Sequence, residues 1–342
     1  MIIREGLSFD DVLLSPRYST VKSRADVDLS VHMGQYHFSH CCIPANMATV
    51  SGKELCEVII KSGGLAILHR FMDDKEQLLI ADEMISKYGS NNFGVSVGVK
   101  PADYELVNRF YFAGVRIICI DVAHGDSQRC IAMCSWIREH NPDMLIIAGN
   151  VATGQGAQRL WEAGANVVKC GIGGGSLCTT RIQTGNGVPS ITALIDVAET
   201  RRQMITSGHI PRAMYIIADG GIKSSGDIVK ALCFANMVMI GNLFASSLES
   251  PGKIGWVDGK YCKEYVGSST HKDKHVEGVS ALVPYSGEPY QMILDRLLEG
   301  VRSGCSYQNA HNLKELQEDV ELITVSHAGI IESHAHSVKV VK

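Results

Sequence analysis

Short apolar runs rich in β-branched residues recur along the first two thirds of the chain. Residues 115–120 (VRIICI) are typical: apolar side chains point to both faces of the run, as in parallel strands covered on both sides. The pattern predicts eight buried strands. Their centres are Ile43, Leu65, Val95, Ile118, Ile146, Val168, Ile217 and Met239.

Segments with helical periodicity separate these runs, for example residues 74–88 and 128–140. Several predicted helices end at a glycine, which can close a helix in a left-handed conformation. These glycines are Gly63, Gly89, Gly114, Gly164 and Gly208. Strands and helices that alternate every 22 to 30 residues, with one interval of 49, predict an α/β fold, the (β/α)8 TIM barrel. A doubly wound open sheet is the competing architecture, but it usually has fewer strands.

The length of 342 residues allows one large domain or two ordinary ones. We expect a single domain over residues 1–342. Its barrel strands occupy about 41–245, after a short N-terminal segment. A flap insertion and a C-terminal extension then occupy about 250–342.

Polar residues and glycines directly follow several predicted strands. The first, fourth, fifth and seventh strands are followed by ANM (45–47), DVAHG (121–125), GNV (149–151) and DGG (219–221). Active sites of this fold lie at the carboxyl ends of the strands, where such residues suit close approach to a ligand. The pattern therefore predicts a ligand cavity at this end of the barrel.

The interval of 49 residues follows the sixth strand and contains GIGGGSLCTTR (171–181). Its glycines expose backbone amides, which can cradle a phosphate or a cation. Cys178, followed by hydroxyls and a cation, is a candidate nucleophile, although glycine content alone also fits a flexible loop with a structural cysteine. Gly221 and Gly241 follow strands seven and eight, where this fold commonly binds phosphate, and they favour a phosphorylated ligand.

Composition excludes several classes of protein. With 32 basic and 36 acidic residues the net charge is −4, which gives no general attraction to nucleic acid or to an anionic membrane. No apolar run approaches the roughly 18 residues of a membrane span, and the N-terminus lacks a signal-peptide core. The eleven cysteines form no CxxC pair, which indicates reduced thiols and a cytoplasmic protein.

Residues 171–181 resemble the catalytic-cysteine loop of the IMP dehydrogenase/GMP reductase family, Gly-Ile-Gly-Pro-Gly-Ser-x-Cys-Thr-Thr-Arg. Matches in the same order cover nearly the whole chain: LSFDDVLL (7–14), DVAHG (121–125), AGNV (148–151), IADGGI (217–222), VMIG (238–241) and ESPG (249–252). Two positions depart from the family pattern. Gly174 replaces the proline, which should make the loop more mobile, and Asn242 stands where dehydrogenases have a phosphate-binding serine.

The resemblance implies that Cys178 attacks C2 of a purine nucleotide and forms a thioimidate, with Thr180 and Glu277 as a proton relay. The implied substrate contacts are Met47, Ser176, Asp219, Gly220, Gly221, Gly241, Asn242 and Tyr265. The implied contacts of the nicotinamide cofactor are Asp121, Ala123, Asn150 and Arg181. The resemblance also implies a homotetramer and a monovalent cation, usually K⁺, on the backbone carbonyls of Gly171, Gly173 and Cys178.

Members of the family catalyse two reactions. The dehydrogenase oxidises IMP to XMP with NAD and activates water with an Arg-Tyr pair on a mobile flap. The reductase converts GMP to IMP and ammonia with NADPH and needs no activated water. This chain has no arginine between Arg212 and Arg296 and only 13 residues from Tyr265 to Glu277, and residues 69–92 leave no room for the CBS modules of most dehydrogenases. We therefore expect the reductase reaction.

Two alternatives stay open at this stage. The first is a minimal IMP dehydrogenase, because residues 332–338 (ESHAHSV, with His334 and His336) resemble the dehydrogenase C-terminus and because Lys272 or Lys274 could activate water. The second is a purine-nucleotide-binding regulator without catalysis, although the joint presence of the candidate nucleophile and relay argues against it. The sequence also leaves open NADH as the reductant and a modified or deoxy guanine nucleotide as the substrate.

Overall fold

The structure is a computed structural model that describes residues 2–208, 213–267, 270–271, 274–275 and 277–333. The strands are β1 (Val12–Leu14), β2 (Val31–Met33), β3 (Tyr36–Phe38), β4 (Cys42–Pro44), β5 (Ala66–Leu68), β6 (Phe93–Val97), β7 (Ile117–Asp121), β8 (Leu145–Val151), β9 (Val167–Cys170), β10 (Tyr215–Asp219), β11 (Met237–Ile240), β12 (Ile254–Val257), β13 (Lys260–Val266), β14 (Thr270–His271), β15 (Lys274–His275), β16 (Ser280–Pro284) and β17 (Leu322–Thr324). The helices are α1 (Lys53–Lys61), α2 (Asp74–Tyr88), α3 (Pro101–Phe112), α4 (Gln128–His140), α5 (Gly154–Glu162), α6 (Thr180–Thr184), α7 (Ser190–Thr206), α8 (Ser225–Leu232), α9 (Asn242–Ala245), α10 (Tyr290–Tyr307), α11 (Leu313–Leu316) and α12 (His327–Glu332).

Eight parallel strands of the described chain form one sheet in the order β4-β11-β10-β9-β8-β7-β6-β5. The two ends of this order, β4 and β5, pack beside each other, so the sheet nearly closes into a barrel. Just before the two strands, the amide of Ser39 donates to the carbonyl of Gly63 at 2.8 Å and links the seam. The predicted (β/α)8 fold is confirmed.

The elements lie close to their predicted positions. Helices α2 and α4 have the bounds that the periodicity predicts, and seven of the eight predicted strand centres lie inside strands. Leu65 instead lies one residue before β5, which begins where Ala66 pairs with Phe93. The ladder cannot extend further back, because the Asn92 side chain donates to the carbonyls of Gly63 and Gly64 at 3.2 and 3.0 Å.

The amino end of the barrel is covered by the hairpin β2–β3. Its inward side chains Met33, Tyr36 and Phe38 are buried. The Tyr36 hydroxyl donates to the carbonyl of Arg116, just before β7, at 3.3 Å. The carboxyl end of the barrel is left as the open face.

A flap separates the eighth strand from its helix. Helix α10 packs against α8 and α1 and so occupies the place of the last barrel helix, although it begins 50 residues after β11 ends. The segment between them contains the antiparallel sheet β12–β13–β16 and the hairpin β14–β15. The buried Lys263 of β13 anchors the flap, because its ammonium group donates to the carbonyls of Ser247, Leu248 and Ser250 at 2.6, 3.1 and 2.6 Å.

The structure also describes the state of the cysteines and the character of the helices. All eleven cysteines are free, and nine of them are buried. Among the described residues, no helix is both long and apolar enough to cross a membrane.

The ends of α1 and α7 provide a matched test of packing. Each helix has a C-cap serine with right-handed helical backbone angles. The next residue is a glycine in the left-handed region: Gly63 with φ +79° and Gly208 with φ +63°. A Cβ at Gly208 meets open space, whereas a Cβ at Gly63 overlaps the Ser39 side chain, whose own Cβ is 2.8 Å away.

We expect Gly208→Ala to lower the free energy of unfolding by about 1–2 kcal/mol, the cost of the left-handed conformation. Gly63→Ala should lower it by about 1–3 kcal/mol more, because it adds overpacking. Urea unfolding followed by circular dichroism measures both values. Equal losses in the two variants would contradict the packing argument.

Candidate active site

An open cavity of about 260 Å³ lies at the carboxyl end of the barrel, where the sequence places the site. Its walls come from the loops after the barrel strands and from the flap. The predicted residues that line it are Met47, Asp121, Ala123, Asn150, Gly171, Gly173, Ser176, Cys178, Thr180, Asp219, Gly220, Gly221, Gly241, Asn242, Tyr265 and Glu277. The structure thus brings these residues together, while the roles that the resemblance implies for them stay predictions.

The candidate catalytic groups form one hydrogen-bonded chain. The Cys178 thiol donates to the Thr180 hydroxyl at 3.1 Å, and that hydroxyl donates to Oε2 of Glu277 at 2.7 Å. Cys178 is partly exposed to the cavity, and Thr180 is buried as the first residue of α6. A thiol joined through a hydroxyl to a carboxylate can release its proton as sulfur attacks and can receive a proton back later.

The flap places Glu277 beside Thr180. Cys178 and Gly278 form an isolated antiparallel bridge, in which the amide of Thr179 donates to the carbonyl of Glu277 at 3.0 Å. On the other side of this bridge, the amide of Val279 donates to the carbonyl of Leu177 at 3.2 Å. These backbone bonds fix the carboxylate relative to the cysteine loop.

A buried lysine that the sequence analysis did not select forms the floor of the cavity. The Lys169 ammonium group lies 2.8 Å from Oδ1 of Asp121 and 3.4 Å from Oδ2 of Asp219, and the Lys169 side chain is only 2% exposed. The Asn150 side-chain amide also donates to Oδ2 of Asp219, at 2.9 Å, and to the carbonyl of Gly171, at 2.8 Å. This network joins the predicted cofactor contact Asp121 to the predicted substrate contact Asp219.

The Lys169 ammonium and the Asp121 carboxylate hold each other ionised. Burial by itself lowers the pKa of the Lys169 amine, but the carboxylates of Asp121 and Asp219 outweigh it and raise that pKa above its usual range. Burial likewise raises the pKa of the Asp121 carboxyl, but Lys169, with a smaller effect from Arg70, brings it below its usual range. The floor therefore presents carboxylate oxygens that can accept hydroxyl hydrogen bonds.

Arg70 is a second lining residue that the sequence analysis missed. Its Nε donates to the carbonyl of Asp121 at 3.1 Å and lies 3.7 Å from the carboxylate of that residue, while the guanidinium group stacks over Phe71. The signal was present, because Arg70 lies two residues after the end of the second barrel strand, in a fold whose sites lie at strand ends. The sequence analysis used residues 69–92 only to argue that the CBS modules of most dehydrogenases have no room in this chain.

Met47, Gly241 and Tyr265 pack together at the opposite wall. A Cβ added at Gly241 would overlap the Tyr265 hydroxyl and would lie 3.6 Å from the sulfur of Met47. Tyr265 is 4% exposed, and burial raises the pKa of its hydroxyl well above its usual range. The hydroxyl is therefore neutral and can donate a hydrogen bond to a ligand.

Arg181 is the one predicted site residue that lies outside this cavity. It lines a neighbouring pocket with Ser8, Asp10 and Lys223, and its guanidinium group donates to the carbonyl of Val188 at 3.2 Å. Successive residues of a helix point about 100° apart, so Arg181 turns away where Thr180 faces the cavity. The predicted cofactor contact of Arg181 is thus not supported by its position.

Some predictions fall on residues about which the structure gives little. Lys272, His334 and His336 lie outside the described residues, and only the backbone of Lys274 is described. Within the described part of the chain, no cluster of three or more histidine, cysteine or carboxylate side chains could hold a metal ion.

The fold and the site define a (β/α)8 barrel with a partly exposed cysteine and a carboxylate relay in its open end. The sequence profile of the IMP dehydrogenase / GMP reductase domain matches residues 6–336, and the chain belongs to this family. A GMP reductase of Paracidovorax citrulli is 37% identical over 92% of this chain and 94% of its own length. GMP reductases of Streptococcus agalactiae and Streptococcus pneumoniae are 37% and 36% identical, each over 90% of this chain and 92% of their own.

The contact between Gly241 and Tyr265 predicts a rescue between two variants. Gly241 has ordinary right-handed backbone angles, so Gly241→Ala is costly only through overlap with the Tyr265 hydroxyl. We expect that variant to lose about 1–3 kcal/mol of unfolding free energy through overpacking.

Adding Tyr265→Phe removes the overlapping oxygen and leaves the ring carbon 3.2 Å from the new methyl group. The double variant should therefore be more stable than Gly241→Ala alone, as measured by thermal unfolding. Gly255→Ala is the control, since a Cβ there meets open space. Additive losses in the double variant would contradict the contact.

Proposed function

We propose that this chain catalyses the NADPH-dependent reduction of GMP to IMP and ammonia, the reaction of a GMP reductase. The observation that carries the proposal is the hydrogen-bonded chain from Cys178 through Thr180 to Glu277. The reductase names of its relatives support the choice between the two reactions of the family.

Cys178 forms and breaks the covalent bond to the substrate. As its sulfur adds to C2 of GMP, the thiol proton passes through Thr180 to Glu277. The same two groups then return a proton to the amine at C2, which leaves as ammonia and leaves a thioimidate on the cysteine. When bound, NADPH supplies the hydride that reduces C2, and the C2–sulfur bond then breaks to give IMP.

The cavity suits the remaining parts of both ligands. The carboxylates of Asp219 and Asp121 are the acceptors for ribose hydroxyls of the nucleotide and of the cofactor. The only cations among the described lining residues, Arg70 and Lys169, are paired with aspartates. The phosphate is therefore bound by backbone amides, at Ser176, Gly221 and Gly241. Met47 packs against the purine.

We further propose K⁺ on the carbonyls of Gly171, Gly173 and Cys178, in a cytoplasmic homotetramer. Backbone carbonyls are suitable donors because they replace the hydration shell of K⁺. Among the described residues, the Gly171 carbonyl accepts the Asn150 amide and keeps its second lone pair for a cation. Three carbonyl oxygens do not complete the coordination shell of K⁺, which favours further ligands from another subunit.

A paired spectrophotometric assay tests the proposal. We expect the protein with GMP and NADPH to consume NADPH continuously. With IMP and NAD it should give at most one NADH per active site, because no arginine of this chain lies between Arg212 and Arg296 to activate water. Cys178→Ser should bind GMP with nearly wild-type affinity and lose most of the turnover.

Two outcomes would contradict the proposal. Sustained XMP formation at a rate comparable to GMP reduction would identify a dehydrogenase, with Lys272 and Lys274 as candidate bases. GMP binding without turnover in either direction, and without an adduct on Cys178, would identify a nucleotide-binding regulator.

A double-variant experiment tests the relay. Thr180→Val and Glu277→Gln should each lower kcat by about 10²–10⁴, the usual range for general acid–base help. The double variant should be little slower than either single variant, because residues that act as a unit are strongly non-additive.

Thr184→Val is the control for loss of a hydroxyl on the same helix, since the Thr184 hydroxyl donates only to the carbonyl of Thr180 among the described contacts. Its kcat should stay within a few-fold of the wild type. Fully multiplicative losses in the Thr180 and Glu277 pair would show that the two groups act independently.

A further inference from the structure

Lys169 lies at the centre of the cavity floor. It belongs to β9, in register with Gly149 of β8 and Ile217 of β10. A Cβ at Gly149 would lie 2.6 Å from the Cβ of Lys169, so the neighbouring strand leaves room for the lysine stem. This geometry directs a charged side chain into the buried interior of the barrel.

The titratable groups around the Lys169 ammonium come from several elements. Asp121 and Cys119 face it from β7, Asp219 faces it from β10, and Arg70 reaches Asp121 from the loop after β5. Burial raises the pKa of the Cys119 thiol to about 12, so this group is neutral. Lys169 is therefore the cation that two carboxylates share.

Two carboxylates this close to one site cannot both stay ionised without a counter-charge, and one of them would take up a proton. A protonated carboxyl offers fewer acceptor lone pairs to a ribose hydroxyl and turns one oxygen into a donor. Loss of the cation would therefore damage the contact made by the carboxyl that takes up the proton. It would also leave the other carboxylate without the ammonium group that orients it, so both ligands would lose affinity although Lys169 lies beneath the two carboxylates.

We propose that Lys169 is a positioning residue that holds the carboxylates of Asp121 and Asp219 as oriented acceptors, and so serves the cofactor site and the nucleotide site at once. The inference rests on the proposed function, which assigns these two aspartates to the two ligands. It goes further by making one buried cation the common support of both sites.

The test measures the dissociation constants of GMP and of NADPH for the full-length protein by titration calorimetry and by NADPH fluorescence. Lys169→Met should weaken both ligands, each on the order of 10- to 100-fold, the range expected when a charge-assisted hydrogen bond is lost. Asp121→Asn should weaken mainly NADPH, and Asp219→Asn should weaken mainly GMP.

The pH dependence separates positioning from a general loss of structure. In the wild type, Lys169 keeps the pKa of Asp121 low, so NADPH affinity should be level from pH 6 upward. In Lys169→Met that pKa rises, and NADPH affinity should fall as the pH is lowered through the raised value. Lys169→Arg keeps the positive charge and should keep the level profile.

Lys230→Met is the matched control. Lys230 is 12% exposed and pairs with the buried Asp227 on α8, away from the cavity. Its loss should lower the melting temperature and leave both dissociation constants within about twofold. If Lys169→Met does not fold, the charge-balanced variant Lys169→Met/Asp121→Asn replaces it. This variant should lose affinity for GMP as well as for NADPH, because Asp219 still lacks the ammonium group that orients it.

The outcomes are distinct. If Lys169→Met binds both ligands within twofold of the wild type, or if it weakens only one of them, the inference is wrong and the proposed function stands. The same holds if the charge-balanced variant binds GMP as tightly as Asp121→Asn does. Wild-type protein that binds neither GMP nor NADPH contradicts the proposed function, and the inference falls with it.

Discussion

The pairing of the flap with the cysteine loop is the contact on which the proposed chemistry depends. Glu277 and Thr180 are 97 positions apart, and two backbone hydrogen bonds around the bridge between Cys178 and Gly278 bring them together. The flap can supply this restraint because both of its ends return to the barrel, at β11 and at α10. The buried Lys263 adds a third attachment. A local change in any of these attachments would move the carboxylate away from the hydroxyl before it altered the barrel.

Charged side chains lie at the floor of the cavity, and backbone amides lie at its rim. At the floor, carboxylates and one lysine form a closed charge network, which suits hydroxyl groups. At the rim, glycines of the loops after β9 and β10 approach each other so closely that a Cβ at Gly220 would lie 3.1 Å from the amide nitrogen of Gly175. This proximity exposes backbone amides, so an anion can bind at the rim without competing for the lysine below.

Local patterns predicted most of this structure, and the failures have physical causes. Helix α2 could be predicted because its apolar positions repeat with the helical period, and Asp121 because it ends a strand in a fold whose sites lie at strand ends. The sequence did not predict the role of Lys169, because a single lysine in an apolar strand gives no local signal for the two carboxylates it contacts. The cofactor contact of Arg181 was implied by the family resemblance and stays a prediction, although a helix turns the neighbouring side chains of Thr180 and Arg181 to different sides.

The position of Glu277 also bears on which of the two family reactions the site favours. In the proposed chemistry, both reactions pass through an adduct on Cys178, and they diverge in the group that leaves or arrives at C2. The Glu277 carboxylate accepts a hydrogen bond from the Thr180 hydroxyl at 2.7 Å. Through Thr180 it is connected to the cysteine that carries the adduct, next to the amine that needs a proton in order to leave. Water activation requires a separate base that faces C2 after the nicotinamide has moved. To reach that position, the Glu277 carboxylate would have to break its hydrogen bond with the Thr180 hydroxyl.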